Sequence, residues 1–201
     1  LNKNRIQESI ILSKLNIKKN KYFVVSAHRE ENIDIDENFI NLTNAINKVA
    51  EKYGYPIIFS THPRTKNKIE EKKINFHPLV QNIKPLGFFD YVNLQKNAFC
   101  VLSDSGTISE ESAMMHFPAI SIRTSTERPE AIDTGSILLG GINDNDIINS
   151  IETILITKNR NIDITKAIFI SMLGCTMSWT SDIFKIFGKL DANMIHQDIN
   201  I

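Results

Sequence analysis

Two rhythms of apolar residues alternate along this chain. Short continuous apolar runs, Tyr22 to Ala27, Pro56 to Ser60, Phe99 to Leu102 and Ala119 to Ile122, have the look of strands buried on both faces. Leu79 to Ile83 and Ser136 to Leu139 are shorter candidates of the same kind. Between them the apolar positions switch to helical spacing. Ile6, Ile10, Ile11 and Leu15 predict one amphipathic helix over Asn4 to Leu15. Phe39, Ile40, Leu42, Ala45, Ile46, Val49 and Ala50 predict a helix over Asp36 to Tyr53, which Gly54 ends. Further helices are expected over Lys66 to Lys73, Phe88 to Asn97, Gly106 to His116 and Asp144 to Ile156. Strands alternating with helices predict an α/β fold with a parallel sheet covered on both faces.

In such sheets ligands bind beyond the carboxyl ends of the strands. Four polar clusters fall at such ends: His28 to Asn32, Thr61 to Arg64, Asp104 to Gly106, and Arg123 to Arg128. The most informative is Ser103-Asp104-Ser105-Gly106-Thr107-Ile108-Ser109-Glu110-Glu111. A strand that turns through small residues into a helix leaves free amides at the positive end of the helix dipole, which suits a phosphate. The competing reading is an ordinary helix start, with Asp104 as cap and Thr107 with Glu110 as a capping box. The segment lacks both the Gly-Lys-Ser/Thr of a P-loop and the G-x-G-x-x-G fingerprint. Glu110 and Glu111 point about 100° apart, so only one of them can face a given ligand.

His28, Arg29 and Glu30 are read either as a salt-bridged loop or as a cluster in which His28 meets phosphate or moves a proton. Arg123 and Arg128 are either surface ion pairs or forks for an anion. His62 is the other histidine at a strand end, and no spacing of His, Cys, Asp or Glu completes a metal-ligand set. The 201 residues suffice for one α/β domain plus a tail, and 23 basic against 23 acidic residues argue against a nucleic-acid partner. Cys100 and Cys175 read as reduced thiols, and no run approaches the length of a membrane span, so a cytoplasmic protein is expected. The chain begins with Leu1, consistent with a piece of something longer.

Taken together, Ser26-Ala27-His28-Arg29-Glu30-Glu31-Asn32, Asp104-Ser105-Gly106, Glu110-Glu111 and Thr126-Glu127-Arg128-Pro129-Glu130-Ala131 resemble the non-hydrolysing UDP-N-acetylglucosamine 2-epimerase family. The resemblance runs from the first residues to about Leu155. It implies a Rossmann-like three-layer α/β/α parallel sheet, one half of a GT-B-like two-domain fold with the active site between domains. Residues 1–20 would link to an absent N-terminal domain, 21–157 would form the UDP-binding domain, and 158–201 a divergent helical tail.

The resemblance also implies roles. Ser105, Gly106 and Thr107 would hold the diphosphate, and Glu111 the ribose hydroxyls. Arg128 and a catalytic His28 would stand at the diphosphate end, with Leu86 and Tyr91 bordering the nucleotide. Arg29, Glu30, His62, Asp104 and Arg123 complete the candidate set. The family reaction removes the C2 proton and expels UDP to a 2-acetamidoglucal, then re-adds UDP with C2 inverted, without cofactor or metal. The expected partners are a UDP-sugar, the absent domain and, in the full-length protein, a second copy. Two departures bear on substrate. Thr107-Ile108-Ser109 replaces the usual Gly-Ile-Gln, as in a branch acting on 6-deoxy or otherwise modified sugars for surface polysaccharides. Leu86 replaces a polar residue, leaving its backbone for contact. A UDP-sugar glycosyltransferase domain and a non-catalytic UDP-sugar sensor are the rival readings.

Overall fold

The computed structural model describes residues 3–123 and 137–160. Its centre is a six-stranded parallel sheet: β1 (Phe23–Ser26), β2 (Ile57–Ser60), β3 (Val80–Ile83), β4 (Cys100–Ser103), β5 (Ala119–Ser121) and β6 (Ile137–Leu139). The strands lie in the order β3-β2-β1-β4-β5-β6. The first half of the chain therefore winds outward on one side of β1 and the second half on the other. The order reverses between β1 and β4, which is where open α/β sheets form their ligand crevice.

The helices are α1 (Lys3–Gln7), α2 (Ile11–Lys14), α3 (Glu30–Ile33), α4 (Asp36–Tyr53), α5 (Pro63–Glu71), α6 (Phe88–Lys96), α7 (Ile108–Met115) and α8 (Asp144–Arg160). Alternate strand residues feed two cores. Phe23, Val25, Ile57, Phe59 and Leu102 pack against α3, α4 and α8 through Ile33, Leu42, Ile46, Val49, Ile147 and Ile151. Val24, Ile58 and Val101 pack on the other face against Ile11 of α2, Leu94 of α6 and Ile108 of α7. Both faces of the sheet are thus dry, which explains why the strands read as unbroken apolar runs. The result is the expected three-layer Rossmann-like sandwich.

Helix α4 follows its predicted bounds. Phe39, Leu42, Ala45, Ile46, Val49 and Ala50 are buried, and Gly54 ends the helix in the left-handed region at φ 63°. Ile40, grouped with that apolar face in the sequence, is instead 43% exposed. The single helix expected over Asn4 to Leu15 is two short ones. Ser9 breaks it: its hydroxyl accepts the Ile11 N–H at 3.3 Å and donates to Asp90 at 2.6 Å, pulling the backbone away from the helical path. Helix α5 starts earlier than expected because Pro63 occupies the first helical position, where no amide is needed. Helix α8 continues past Ile156 to Arg160, since nothing in Thr157-Lys158-Asn159 breaks it. Most of the 158–201 tail, with Cys175, lies outside the described residues. Among the described residues no helix is long and apolar enough to cross a membrane.

Leu42→Ala removes a fully buried side chain between α4 and the sheet. It is expected to lower unfolding free energy by about 2–5 kcal/mol in a denaturant titration. Ile40→Ala, on the exposed side of the same helix, is expected to change it by about 0.5 kcal/mol or less.

Candidate functional site

Strand register builds the floor of the site. Ser26 of β1 pairs with Ser60 of β2 on one side and Ser103 of β4 on the other, and Ser103 pairs with Ser121 of β5. Four neighbouring strands thus carry serine at the same level, near their carboxyl ends. Small side chains at this level leave room, and a cleft of about 460 Å³ opens above Ser26, Ser60 and Ser103. Its walls include His28, His62, Leu86, Tyr91, Ser105 and Glu111, six of the residues singled out from the sequence. Arg64 of the Thr61 to Arg64 cluster also lines it, as does Gln95, which the sequence reading did not single out.

Asp104 joins the two strands that flank the crevice. It is fully buried. Its Oδ2 accepts the backbone N–H of His28 at 2.9 Å, that of Arg29 at 2.9 Å and the Asn32 side-chain amide at 3.0 Å. Its Oδ1 lies 3.1 Å from His28 Nδ1. Asn32, also fully buried, donates to the Ile122 carbonyl as well, at 3.0 Å. The loop after β1 is thereby fastened to the ends of β4 and β5. Burial, the largest influence on the Asp104 carboxyl, pushes its pKa up. The His28 contact and the Arg29 and Asn32 hydrogen bonds outweigh that and hold it below the ordinary carboxylate value. The contact with Asp104 raises the His28 pKa in turn, against partial desolvation. With Nδ1 on the Asp104 side of the ring, Nε2 is the nitrogen left for a ligand.

The capping box expected at the next helix is not formed. The N-cap residue, Thr107, makes no capping side-chain bond to α7, and Asp104 reaches back to the β1 loop instead. The Thr107 hydroxyl donates to Glu111 Oε1 at 2.7 Å, while Ser109 donates to Glu110 at 2.8 Å. Thr107 thus caps none of the first-turn amides of α7; Ser105 takes its place at the turn, its hydroxyl accepting the Thr107 amide at 3.3 Å and its carbonyl the Ile108 amide at 3.4 Å. A methyl group in place of the Gly106 hydrogen would stand 3.4 Å from Arg29 Nη2, so the guanidinium lies directly over this turn. The choice between the two glutamates is also resolved: Glu111 lines the cleft and Glu110 is exposed. Tyr91 is largely enclosed, and burial raises its phenol pKa while a hydrogen bond with Ser26 pulls it back.

Other candidates are engaged elsewhere. Arg123 is buried and its Nε donates to Glu31 at 3.3 Å. Glu30 is exposed and pairs with Arg64 at 3.4 Å, and Arg64 also binds Asp34. His62 accepts the Arg64 amide at the start of α5. Arg128, with the rest of 124–136, lies outside the described residues.

A model of the UDP-N-acetylglucosamine 2-epimerase family matches residues 1–170. The chain belongs to that family. The UDP-N-acetylglucosamine 2-epimerase of Methanococcus maripaludis is 37% identical over 142 residues, which cover 69% of this chain and 39% of that relative. The crystal structure of the Methanocaldococcus jannaschii UDP-GlcNAc 2-epimerase, in complex with UDP-GlcNAc and UDP, aligns with a TM-score of 0.70 at 31% identity. That alignment covers 88% of this chain and 51% of the other. The chain thus spans roughly two fifths to half the length of these epimerases. An E. coli ADP-heptose LPS heptosyltransferase II shares the fold alone, with a TM-score of 0.57 at 9% identity over 79% of this chain and 53% of the other. The described residues of this epimerase-family chain thus share the Rossmann-like α/β fold of GT-B-like proteins.

The Asp104–His28 pair of this epimerase-family chain gives a pH signature. Asp104 has a lowered folded pKa, so its stabilisation is present above its unfolded value of about 3.9 and is lost as pH falls through the folded value. His28 has a raised folded pKa, so its stabilisation is complete below about pH 6.5 and is lost as pH rises through the folded value. Asp104→Asn is expected to lower the His28 pKa in an NMR titration of its ring proton. An unchanged pKa would mean that the pair is not formed.

Proposed function

We propose that this chain is the nucleotide-binding half of a non-hydrolysing UDP-N-acetylglucosamine 2-epimerase. The observation that carries the reading is the convergence, at the switch point between β1 and β4, of a helix N-terminus whose N-cap side chain turns away from it, an imidazole 3.1 Å from a buried carboxylate, and a glutamate fixed on one wall. The helix N-terminus and the imidazole suit the diphosphate, and the glutamate suits the ribose. The α7 amides with Ser105, Gly106 and Thr107 take the diphosphate. Glu111 accepts the ribose hydroxyls, and Tyr91 and Leu86 flank the base. The relative solved with UDP-GlcNAc and UDP supports the same ligand class.

In the reaction proposed, a base removes the C2 proton of the sugar. The C–H electron pair becomes the C1=C2 double bond, and the C1–O bond breaks with its pair leaving on UDP. UDP then returns to C1 as a proton is delivered to the opposite face of C2. The contribution of this half is to bind and stabilise the leaving group. Charge grows on the β-phosphate as the C–O bond breaks, and donors fixed in advance stabilise it more than they stabilise the bound substrate. His28, with Nδ1 beside Asp104, directs Nε2 toward that charge. Arg29, over Gly106, adds a second positive group, and Arg128 a third. The groups that move the C2 proton belong to a preceding domain, for which residues 1–20 form the connection, with 21–157 as the nucleotide domain and a homodimer as the working assembly.

Full-length protein incubated in D2O with UDP-N-acetylglucosamine and no acceptor is expected to incorporate deuterium at C2 and yield the 2-epimer by proton NMR. A glycosyltransferase would do neither, and epimerisation only of a 6-deoxy analogue would reassign the sugar. Glu111→Ala and Arg128→Ala are each expected to weaken UDP binding by about 10- to 100-fold in calorimetry.

A further inference from the structure

Glu111 does not stand freely on its wall of the cleft. Thr107 Oγ1 donates to Oε1 at 2.7 Å, and Gln95 Nε2 donates to Oε2 at 2.8 Å. Gln95 is 1% exposed and comes from a different element, α6, one turn beyond Tyr91 on the same helix face. A buried glutamine amid the apolar residues of a sheet-packing helix is costly unless its amide is used. Here its N–H is used on the carboxylate, and its Oε1 is buried without a hydrogen-bond partner. Replacing Gln95 by an apolar residue would remove that unpaired acceptor. Keeping glutamine therefore costs stability, and the bond to Glu111 is what it provides.

The count of lone pairs points to the purpose. A carboxylate has about four acceptor sites, two on each oxygen. Gln95 and Thr107 occupy one on each. One site remains on each oxygen, and the two oxygens stand side by side, which matches the two vicinal hydroxyls of a ribose. A single anchor would leave the carboxylate free to rotate about its last bond. Two anchors from α6 and from the α7 entry fix the plane.

We propose that Gln95 is a positioning residue that sets the Glu111 carboxylate for the ribose diol and so makes the cleft selective for ribonucleotides over 2′-deoxyribonucleotides. This rests on the reading of Glu111 as the ribose-binding acid. It acts through Glu111.

The test measures UDP and 2′-deoxy-UDP affinities by calorimetry for the full-length protein, Glu111→Ala, Gln95→Met and Gln95→Glu. Wild type is expected to prefer UDP by roughly tenfold, the worth of one charge-assisted hydrogen bond. Gln95→Met keeps the volume but loses the donor. It is expected to lose most of that preference, with 2′-deoxy-UDP affinity little changed. A general loss of structure would lower both affinities together and leave their ratio intact. Gln95→Glu places a second carboxyl beside Glu111. One shared proton restores the donor, so its UDP preference is expected to recover as pH falls, relative to wild type at the same pH. A wild-type preference retained in Gln95→Met, or no recovery at low pH in Gln95→Glu, would overturn the proposal while leaving the nucleotide site intact. Absence of UDP binding by wild type, or full binding by Glu111→Ala, would instead overturn the underlying assignment of Glu111.

Discussion

A single buried carboxylate holds the functional end of this sheet together. Removing an ion from water is expensive unless donors surround it. Asp104 has three donors on one oxygen, and the His28 Nδ1 stands 3.1 Å from the other, a charge contact without hydrogen-bond geometry. Those donors come from the loop after β1, whereas Asp104 itself follows β4. The satisfaction of one charge thus dictates how the two loops at the switch point meet. It fixes the first turn of the β1 loop through two backbone amides, and with them the positions of His28 and Arg29. Asn32 extends the tie to the end of β5.

This tie shapes the entry of α7 at the switch point, where the nucleotide site is proposed. Neither Asp104 nor Thr107 caps α7, because Asp104 is engaged with the β1 loop and Thr107 reaches forward to Glu111. Arg29 can close over the turn because Gly106 presents no side chain. The serine row at the strand ends keeps the floor low, so a ligand can approach the amides. Groups fixed in this way are effective against charge that develops late in a reaction.

Much of this was legible in the sequence because it depends on local pattern. Buried parallel strands announce themselves as apolar runs, and α4 has an apolar stripe with a glycine stop. The strand-end location of the polar clusters came from the α/β rhythm alone. What was not legible depends on partners distant in the chain. Asp104 looks like an N-cap until His28, some seventy positions earlier, is brought beside it. Gln95 looks like one more polar position on a helix until Glu111 turns toward it. The break at Ser9 needed Asp90, which no local window contains. Arg123, which reads as an anion fork, is buried against Glu31 for the same reason. Family likeness supplied roles for Ser105, Glu111 and Arg128 that spacing alone left open.

The central claim is that a nucleoside diphosphate lies in the cleft between the ends of β1 and β4. The most direct measurement is a two-dimensional amide NMR titration of the protein with UDP. Saturable shifts are expected at His28, Arg29, Ser105, Gly106, Thr107 and Glu111, with the α4–α8 face unchanged. Saturable shifts confined to another face, or none in a folded sample at millimolar UDP, would contradict it.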